Sequence, residues 1–353
     1  MSGNALQAPS LREAYDHSFL IGAAISGREL MDPGREALLL RHFSSITAEN
    51  AMKPERILDR AATLELGDPV RTVQNYTFVD RMLSYAEAHG LRVRFHVLVW
   101  HNQTPKWFFR EGWSDAPDAK DAEPDLLLRR QAAYIADVMD HVNAKYPGLV
   151  YAWDVVNEAI EPDQGGENGC RTRSEWYRIA GPRFITSAFR EARLHTLPGQ
   201  KLFYNDYNAY FPQKLDAILH TLRGLCAEGL VDGMGMQSHF ELNRMNVALW
   251  EQAARAYASL GLTLHVTELD IHCNRGDEAG QKVLAQAYRD FFGALLGLRR
   301  DGIPLESVTF WGLTDAESWL TGFRREQSWP LLFDGDLQTK PAFDAVIGLP
   351  EER

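Results

Sequence analysis

Cysteine is scarce in this chain, with only Cys170, Cys226 and Cys273 in 353 residues. The number is odd, the spacing is wide and no CxxC occurs, so neither a zinc knuckle nor a dithiol redox pair is encoded. Free thiols in a reducing compartment are the expectation. A Cys170–Cys273 bridge is the alternative, because Cys170 sits in a glycine-rich loop and Cys273 follows a strand. Positive charge is also in short supply: 37 Lys and Arg against 48 Asp and Glu leave a formal net charge of −11. Phosphate backbones are anionic, so nucleic acid is not an expected partner, and no basic block suits a membrane surface. Long hydrophobic runs are missing. None approaches the roughly 18 residues that a membrane-spanning helix needs. The opening residues MSGNALQAPS lack the cationic start and apolar stretch of a secretory signal, so a cytoplasmic protein is expected. The turn after the first predicted strand reads Gly22-Ala-Ala-Ile-Ser-Gly27 and contains no GxGxxG, which weighs against a dinucleotide-binding open sheet. No linker, repeat or low-complexity tract breaks the chain, so one domain over residues 1–353 without an appended binding module is expected.

What the chain does contain is ordinary for a large globular enzyme, at 45% hydrophobic and 24% charged residues. Short apolar, β-branched segments predict strands at 19–25, 43–47, 93–100, 150–156, 201–205, 233–238, 263–267 and 308–313. Helical periodicity fills residues 124–146, 174–194, 212–228, 247–260 and 280–301. Strands that are continuously apolar are buried on both faces, as in a parallel sheet. Eight strands alternating with helices predict a single (β/α)8 TIM barrel, with a doubly wound open sheet as the competing architecture.

Barrel enzymes build their sites at the C-terminal strand ends, and polar residues collect there in this chain. The second predicted strand runs into Glu49-Asn50, with Lys53 soon after. The third carries His96 and ends in Trp100-His101-Asn102-Gln103. The fourth ends in Asn157-Glu158, the fifth in Asn205-Asp206-Tyr207-Asn208, the sixth in Gln237-Ser238-His239 and the seventh in Glu268-Leu-Asp270. The eighth carries Trp311, followed by Asp315 and Trp319. Glu158 and Glu268 each close a buried strand, and a pair of carboxylates flanking one bond is the minimum machinery for glycoside hydrolysis. The bland reading of the same pair is a structural ion pair.

These segments resemble glycoside hydrolase family 10, the retaining endo-β-1,4-xylanases. The matching stretches are FSSITAENAMKPE (43–55), FHVLVWHNQTPKW (95–107), WDVVNEAI (153–160), KLFYNDYNAY (201–210), GMGMQSHF (233–240), VTELDIH (266–272), FWGLTDAESWL (310–320) and LLFDGDLQTKPAFDAV (331–346). The resemblance implies a (β/α)8 barrel acting on xylan or xylo-oligosaccharides with no cofactor or metal. Glu158 matches the acid/base and Glu268 the nucleophile, and retention implies carboxyl groups about 5–5.5 Å apart. His239 and Asp270 match residues that orient and polarise the nucleophile. Asn157 matches the residue that bonds the 2-hydroxyl of the reacting sugar. Glu49, Asn50, Lys53, His96, Trp100 and Gln237 match glycone-side contacts, with His101 and Gln103 beside them. Tyr207 matches the leaving-group side, and Trp311 and Trp319 match aromatic walls. Trp319 is the candidate for excluding a hydroxymethyl group.

Bland alternatives stand beside several of these readings. His239 reads otherwise as a satisfied core histidine, His96 and His101 as metal ligands, and Lys53 as a solvated lysine. Asp206, Asn208 and Asp315 read equally as loop caps. Arg324 and Arg325 read either as substrate contacts or as a solvated charge pair. Phe95, Asn102 and Ala316-Glu317 depart from the commonest family spelling, which bears on subsite preference rather than reaction class. A β-glucan- or mannan-cleaving relative is the nearest functional alternative, and a non-catalytic sugar-binding protein is the remote one.

Overall fold

The computed structural model describes residues 3–350. The chain clusters into two compact units, one of Asn50–Ala88 and Arg92–Met234 and the other holding the rest. Among the described residues, eight principal strands alternate with helices along the chain. They are β1 Leu20–Ile25, β2 Ser45–Ala48, β3 Arg92–Phe95, β4 Val150–Asn157, β5 Lys201–Asp206, β6 Gly233–Met236, β7 Thr263–His272 and β8 Leu305–Phe310. In the first unit β3, β4 and β5 are parallel neighbours, with Val93 opposite Val150 and Trp153 opposite Leu202. In the other, β7, β8, β1 and β2 run parallel, with Val266 opposite Val308, Ile21 opposite Val308 and Gly22 opposite Ser45.

Burial explains why these segments form strands. Every residue of β2 and β4 is buried, and so is all but one residue of β1, β5 and β7. Strands covered on both faces favour the β-branched and aromatic side chains that fill them. Gly22 serves packing rather than phosphate binding. A Cβ there would lie 2.5 Å from Ser45 Oγ and 2.9 Å from Thr309 Oγ1. Helix starts carry their own capping signals: Asp32 accepts from the N–H groups of Gly34 and Arg35, Ser174 from Tyr177, Asn246 from Leu249 and Asp277 from Gly280.

Several predicted elements differ from the observed ones. The strand expected over 308–313 is Leu305–Phe310, so Trp311 follows it rather than lying in it. The strand expected over 93–100 stops at Phe95 and resumes only as Val99–Trp100. A cis His96–Val97 peptide lies in the break, and the Leu98 N–H bonds the Asp154 carbonyl at 3.0 Å. The helix expected over 174–194 is two helices, Glu175–Ala180 and Arg183–Leu194. Gly181 has φ +60° and Pro182 has no N–H to continue the ladder. The strand expected over 263–267 continues to His272, because its last residues pair with a short strand His239–Glu241. All three cysteines are free thiols, so the Cys170–Cys273 bridge does not form. Among the described residues no helix is long and apolar enough to cross a membrane.

The N-terminal segment is anchored by a fully buried histidine. The Nε2 of His42 bonds the Ala5 carbonyl at 2.9 Å, and its Nδ1 accepts the Leu11 N–H at 3.4 Å. Burial pushes its pKa from 6.5 down to about 4. The folded-state value is depressed, so the unfolded chain binds the proton first. The stabilisation is complete above pH 6.5 and is lost as pH falls through 4. Between pH 7 and pH 4 the wild type should lose roughly 2–3 kcal/mol more stability in urea titrations than His42→Gln does. Equal losses in the two proteins would contradict this.

Candidate active site

The seventh strand carries the first carboxylate cluster. The β7–β8 register shifts between Val266 and Leu269. Bulges of this kind often re-aim side chains near functional sites, and Glu268 lies within this one. The Glu268 N–H bonds the Gln237 carbonyl at 2.9 Å, which ties the strand to the end of β6. Asp270 pairs across the ladder with His239, and the two side chains meet. His239 Nδ1 lies 2.8 Å from Asp270 Oδ1, and its Nε2 lies 3.1 Å from Glu268 Oε2. Trp319 donates from Nε1 to the other Asp270 oxygen at 2.8 Å. The rings of Trp311 and Trp319 stand edge-on to His239, at centroid distances of 6.3 and 5.1 Å. Asp270 is fully buried and Glu268 nearly so.

Charge decides what this cluster does. Burial opposes protonation of His239, but Asp270 and then Glu268 outweigh it and raise its pKa from 6.5 to about 10. The ring is therefore an imidazolium at neutral pH and donates from both nitrogens. A cation hydrogen-bonded to Glu268 favours the carboxylate form, which is the nucleophilic one. Both ring nitrogens of His239 are thus bonded to carboxylates. Glu49, at the end of β2, bonds through its N–H to the Ile25 carbonyl at 2.9 Å and is half-buried.

The second carboxylate lies at the end of β4. Glu158 has φ +54°. This left-handed backbone costs a non-glycine residue roughly 1–3 kcal/mol unless its surroundings impose it. Here the peptides on both sides of the residue are held. The Glu158 N–H bonds the Asn205 carbonyl at 2.9 Å, and the Glu158 carbonyl accepts Arg171 Nε at 2.8 Å. Its carboxylate accepts Trp100 Nε1 at 2.9 Å on one oxygen and Asn157 Nδ2 at 3.2 Å on the other. Asn157 is fixed in turn by Asn205 Nδ2, at 2.9 Å from its Oδ1. His101 Nδ1 is 4.0 Å from Glu158, beyond hydrogen-bond range, and burial holds its pKa down at about 4. It is a neutral neighbour.

The remaining predicted residues of this unit form two groups. Lys53 Nζ donates to Gln103 Oε1 at 2.9 Å and to Asn50 Oδ1 at 3.2 Å, and lies 4.8 Å from the Trp100 ring centre. It is 6% exposed, so it is not a solvated lysine. His96 Nδ1 bonds Asp154 Oδ2 at 2.9 Å, and the same carboxylate takes Arg94 Nε at 3.0 Å. Burial works against ionisation of Asp154, but Arg94 and His96 hold its pKa below the usual value. His96 is thereby tied to a protein carboxylate. Among the described residues no group of three or more His, Cys, Asp or Glu is arranged to hold a metal ion.

Beside Glu158 lies a network that joins Tyr207 and Asp206 to three residues the sequence did not single out, Glu161, Arg171 and Lys214. Arg171 Nη2 donates to Tyr207 Oη at 2.8 Å and to Glu161 Oε2 at 3.1 Å, and the Tyr207 hydroxyl donates to the same Glu161 oxygen. Lys214 Nζ is 2.8 Å from Asp206 Oδ1 and 3.5 Å from the Tyr207 ring centre. Burial pushes Asp206 up to about 6 against the pull of Lys214. In the glycine-rich loop around Cys170, charges of opposite sign near its two ends, Glu161 and Arg171, were the available signal. Asp206 and Asp315 serve their loops: Asp206 accepts the Tyr207 N–H at 2.9 Å, and Asp315 accepts the Leu331 N–H at 2.8 Å and Lys340 Nζ at 2.7 Å. Arg324 pairs with Glu241 at 2.7 Å, as a charge pair.

Comparison with known proteins matches these features to one family. The family model of glycosyl hydrolase family 10 matches residues 10–349. Endo-1,4-beta-xylanase B of Butyrivibrio fibrisolvens is 41% identical over 96% of this chain and 53% of its own length. An endo-1,4-beta-xylanase of Geobacillus stearothermophilus is 37% identical over 97% of this chain and 98% of its own. This chain thus spans about half the length of the first relative and 31% of a Thermotoga maritima one, but nearly all of the Geobacillus protein. Among solved structures, a mutant of the intracellular xylanase of Thermoanaerobacterium saccharolyticum in complex with xylotetraose has a TM-score of 0.84 at 34% identity, covering 98% of this chain and 99% of that one. The fold class is the (β/α)8 barrel expected from the strand and helix pattern. The chain belongs to glycosyl hydrolase family 10.

Proposed function

We propose that this chain is one catalytic domain of a retaining endo-β-1,4-xylanase, with Glu268 as nucleophile and Glu158 as acid/base. The observation that carries the reading is the doubly hydrogen-bonded His239 imidazolium, held by Asp270 and bonded to Glu268. Glu268 attacks the anomeric carbon while Glu158 delivers a proton to the departing oxygen. A covalent glycosyl-enzyme forms, and Glu158 then takes a proton from the incoming water. Asn157 holds the 2-hydroxyl of the reacting sugar, a bond that tightens in the transition state. Glu49, Asn50, Lys53, His96, Trp100, Gln103 and Gln237 receive the glycone, Tyr207 the leaving group, and Trp311 and Trp319 wall the reacting sugar.

Xylo-oligosaccharides are the proposed substrates, supported by the names of the relatives and by the xylotetraose complex of a structural neighbour. A cytoplasmic site of action is supported by that neighbour's description as intracellular. Recovery of the protein from the medium around intact cells would contradict it. Turnover of xylotetraose well above that of cellotetraose and mannotetraose is the expected result. Preferential cleavage of either of the latter two would transfer the assignment to a glucan- or mannan-cleaving relative. No turnover of any of the three would favour a binding protein.

The His239 assignment gives a titration prediction. Asp270→Asn removes the stronger of its two stabilising charges and should lower the His239 pKa from about 10 by roughly 1–3 units, read from the imidazole resonances in an NMR pH titration. An unmoved titration would contradict the Asp270 charge as the cause of the raised pKa.

A further inference from the structure

Among the groups outside the proposed catalytic pair, Arg171 makes the most specific contacts. It is 8% exposed, and its guanidinium spans two structures that the chemistry needs together. The Nε donates to the Glu158 carbonyl at 2.8 Å, while Nη2 donates to the Tyr207 hydroxyl at 2.8 Å and to Glu161 at 3.1 Å. Its own N–H bonds the Ala159 carbonyl at 2.8 Å, so the residue is fixed at the backbone as well as at the fork.

Glu158 is in the left-handed region, where a glutamate does not rest unaided. Asn205 restrains the peptide before it through the Glu158 N–H, and Arg171 the peptide after it through the Glu158 carbonyl. Rotation of either peptide plane would swing the carboxylate off Trp100 Nε1 and Asn157 Nδ2, the two donors that aim it. We infer that Arg171 is a positioning residue for proton transfer by Glu158: its fork locks the strained Glu158 backbone to Tyr207 on the leaving-group side. The inference rests on the proposed acid/base role of Glu158. Only a planar fork reaches both targets. A lysine supplies the charge but a single point of donation.

The test separates proton delivery from general damage. Arg171→Met and Arg171→Lys are assayed for kcat/KM on xylotetraose, whose leaving sugar needs a proton, and on 2,4-dinitrophenyl β-xylobioside, whose leaving group does not. Both variants should lose about 10²-fold on xylotetraose, within the range of general acid–base contributions, and less than about threefold on the aryl substrate. Arg171→Lys carries the test alone if Arg171→Met does not fold. Equal losses on both substrates, or a xylotetraose loss confined to KM with kcat unchanged, would reduce Arg171 to a structural or binding role, and no loss on either would remove it from the mechanism. Glu158→Ala run alongside keeps the two claims apart. If that variant shows no leaving-group dependence, the acid/base assignment fails whatever Arg171 does.

Discussion

Glu268→Gln is expected to lose about 10⁵–10⁶-fold in kcat on xylotetraose, the scale seen when an enzyme loses its covalent nucleophile. The carboxamide has the same shape and still offers an oxygen to His239 Nε2, 3.1 Å away in the parent. It carries no charge to place on an anomeric carbon. Binding should survive, because the sugar contacts lie on other residues, so KM or the affinity for xylotetraose should change little. The substitution removes one of two carboxylates around a buried imidazolium, and the His239 pKa should fall from about 10 while remaining above 6.5, because Asp270 persists. Substitution by aspartate, which keeps the charge but retracts it by one methylene, should also fail on geometric grounds. A loss below about tenfold would sink the nucleophile assignment, since no positioned nucleophile contributes so little.

Glu158→Ala should lose activity in a way that depends on the leaving group. Removing a general acid costs typically 10²–10⁴-fold, and the loss in kcat/KM should fall at the upper end for xylotetraose and near unity for 2,4-dinitrophenyl β-xylobioside. The second step also loses its base. The aryl substrate should therefore show a burst of dinitrophenol followed by slow turnover, as glycosyl-enzyme accumulates. Azide, a nucleophile that needs no base, should restore turnover and yield a β-configured glycosyl azide. The Trp100 and Asn157 donors would remain in place beside the alanine. A uniform loss on both substrates, with no burst and no azide effect, would contradict the acid/base role.

Much of this was legible in the chain because strand ends and chemistry coincide in a barrel. The apolar runs that lead into Asn157-Glu158 and Glu268-Leu-Asp270 located β4 and β7 together with these carboxylates. The two-residue step from Glu268 to Asp270 is the spacing that puts two strand side chains on one face, where one histidine meets both. What stayed hidden depends on distance in space rather than on pattern. The positive φ of Glu158 leaves no mark in a segment that reads as strand. The Arg94–Asp154–His96 cluster joins residues some 60 positions apart in continuously buried strands, where a charge looks like an interruption of the core. Arg171 was one of several polar residues in an irregular loop, with no periodicity to assign its direction. The helix break at Gly181-Pro182 was visible in principle, since the residue pair itself supplies the stop.

A proton NMR time course on xylotetraose with the purified protein tests the central claim most directly. The first reducing ends to appear should be the β-anomers of shorter xylo-oligosaccharides, relaxing only later to the mixed anomers, because two displacements at one carbon preserve its configuration. Initial α-anomer would contradict the paired roles of Glu158 and Glu268.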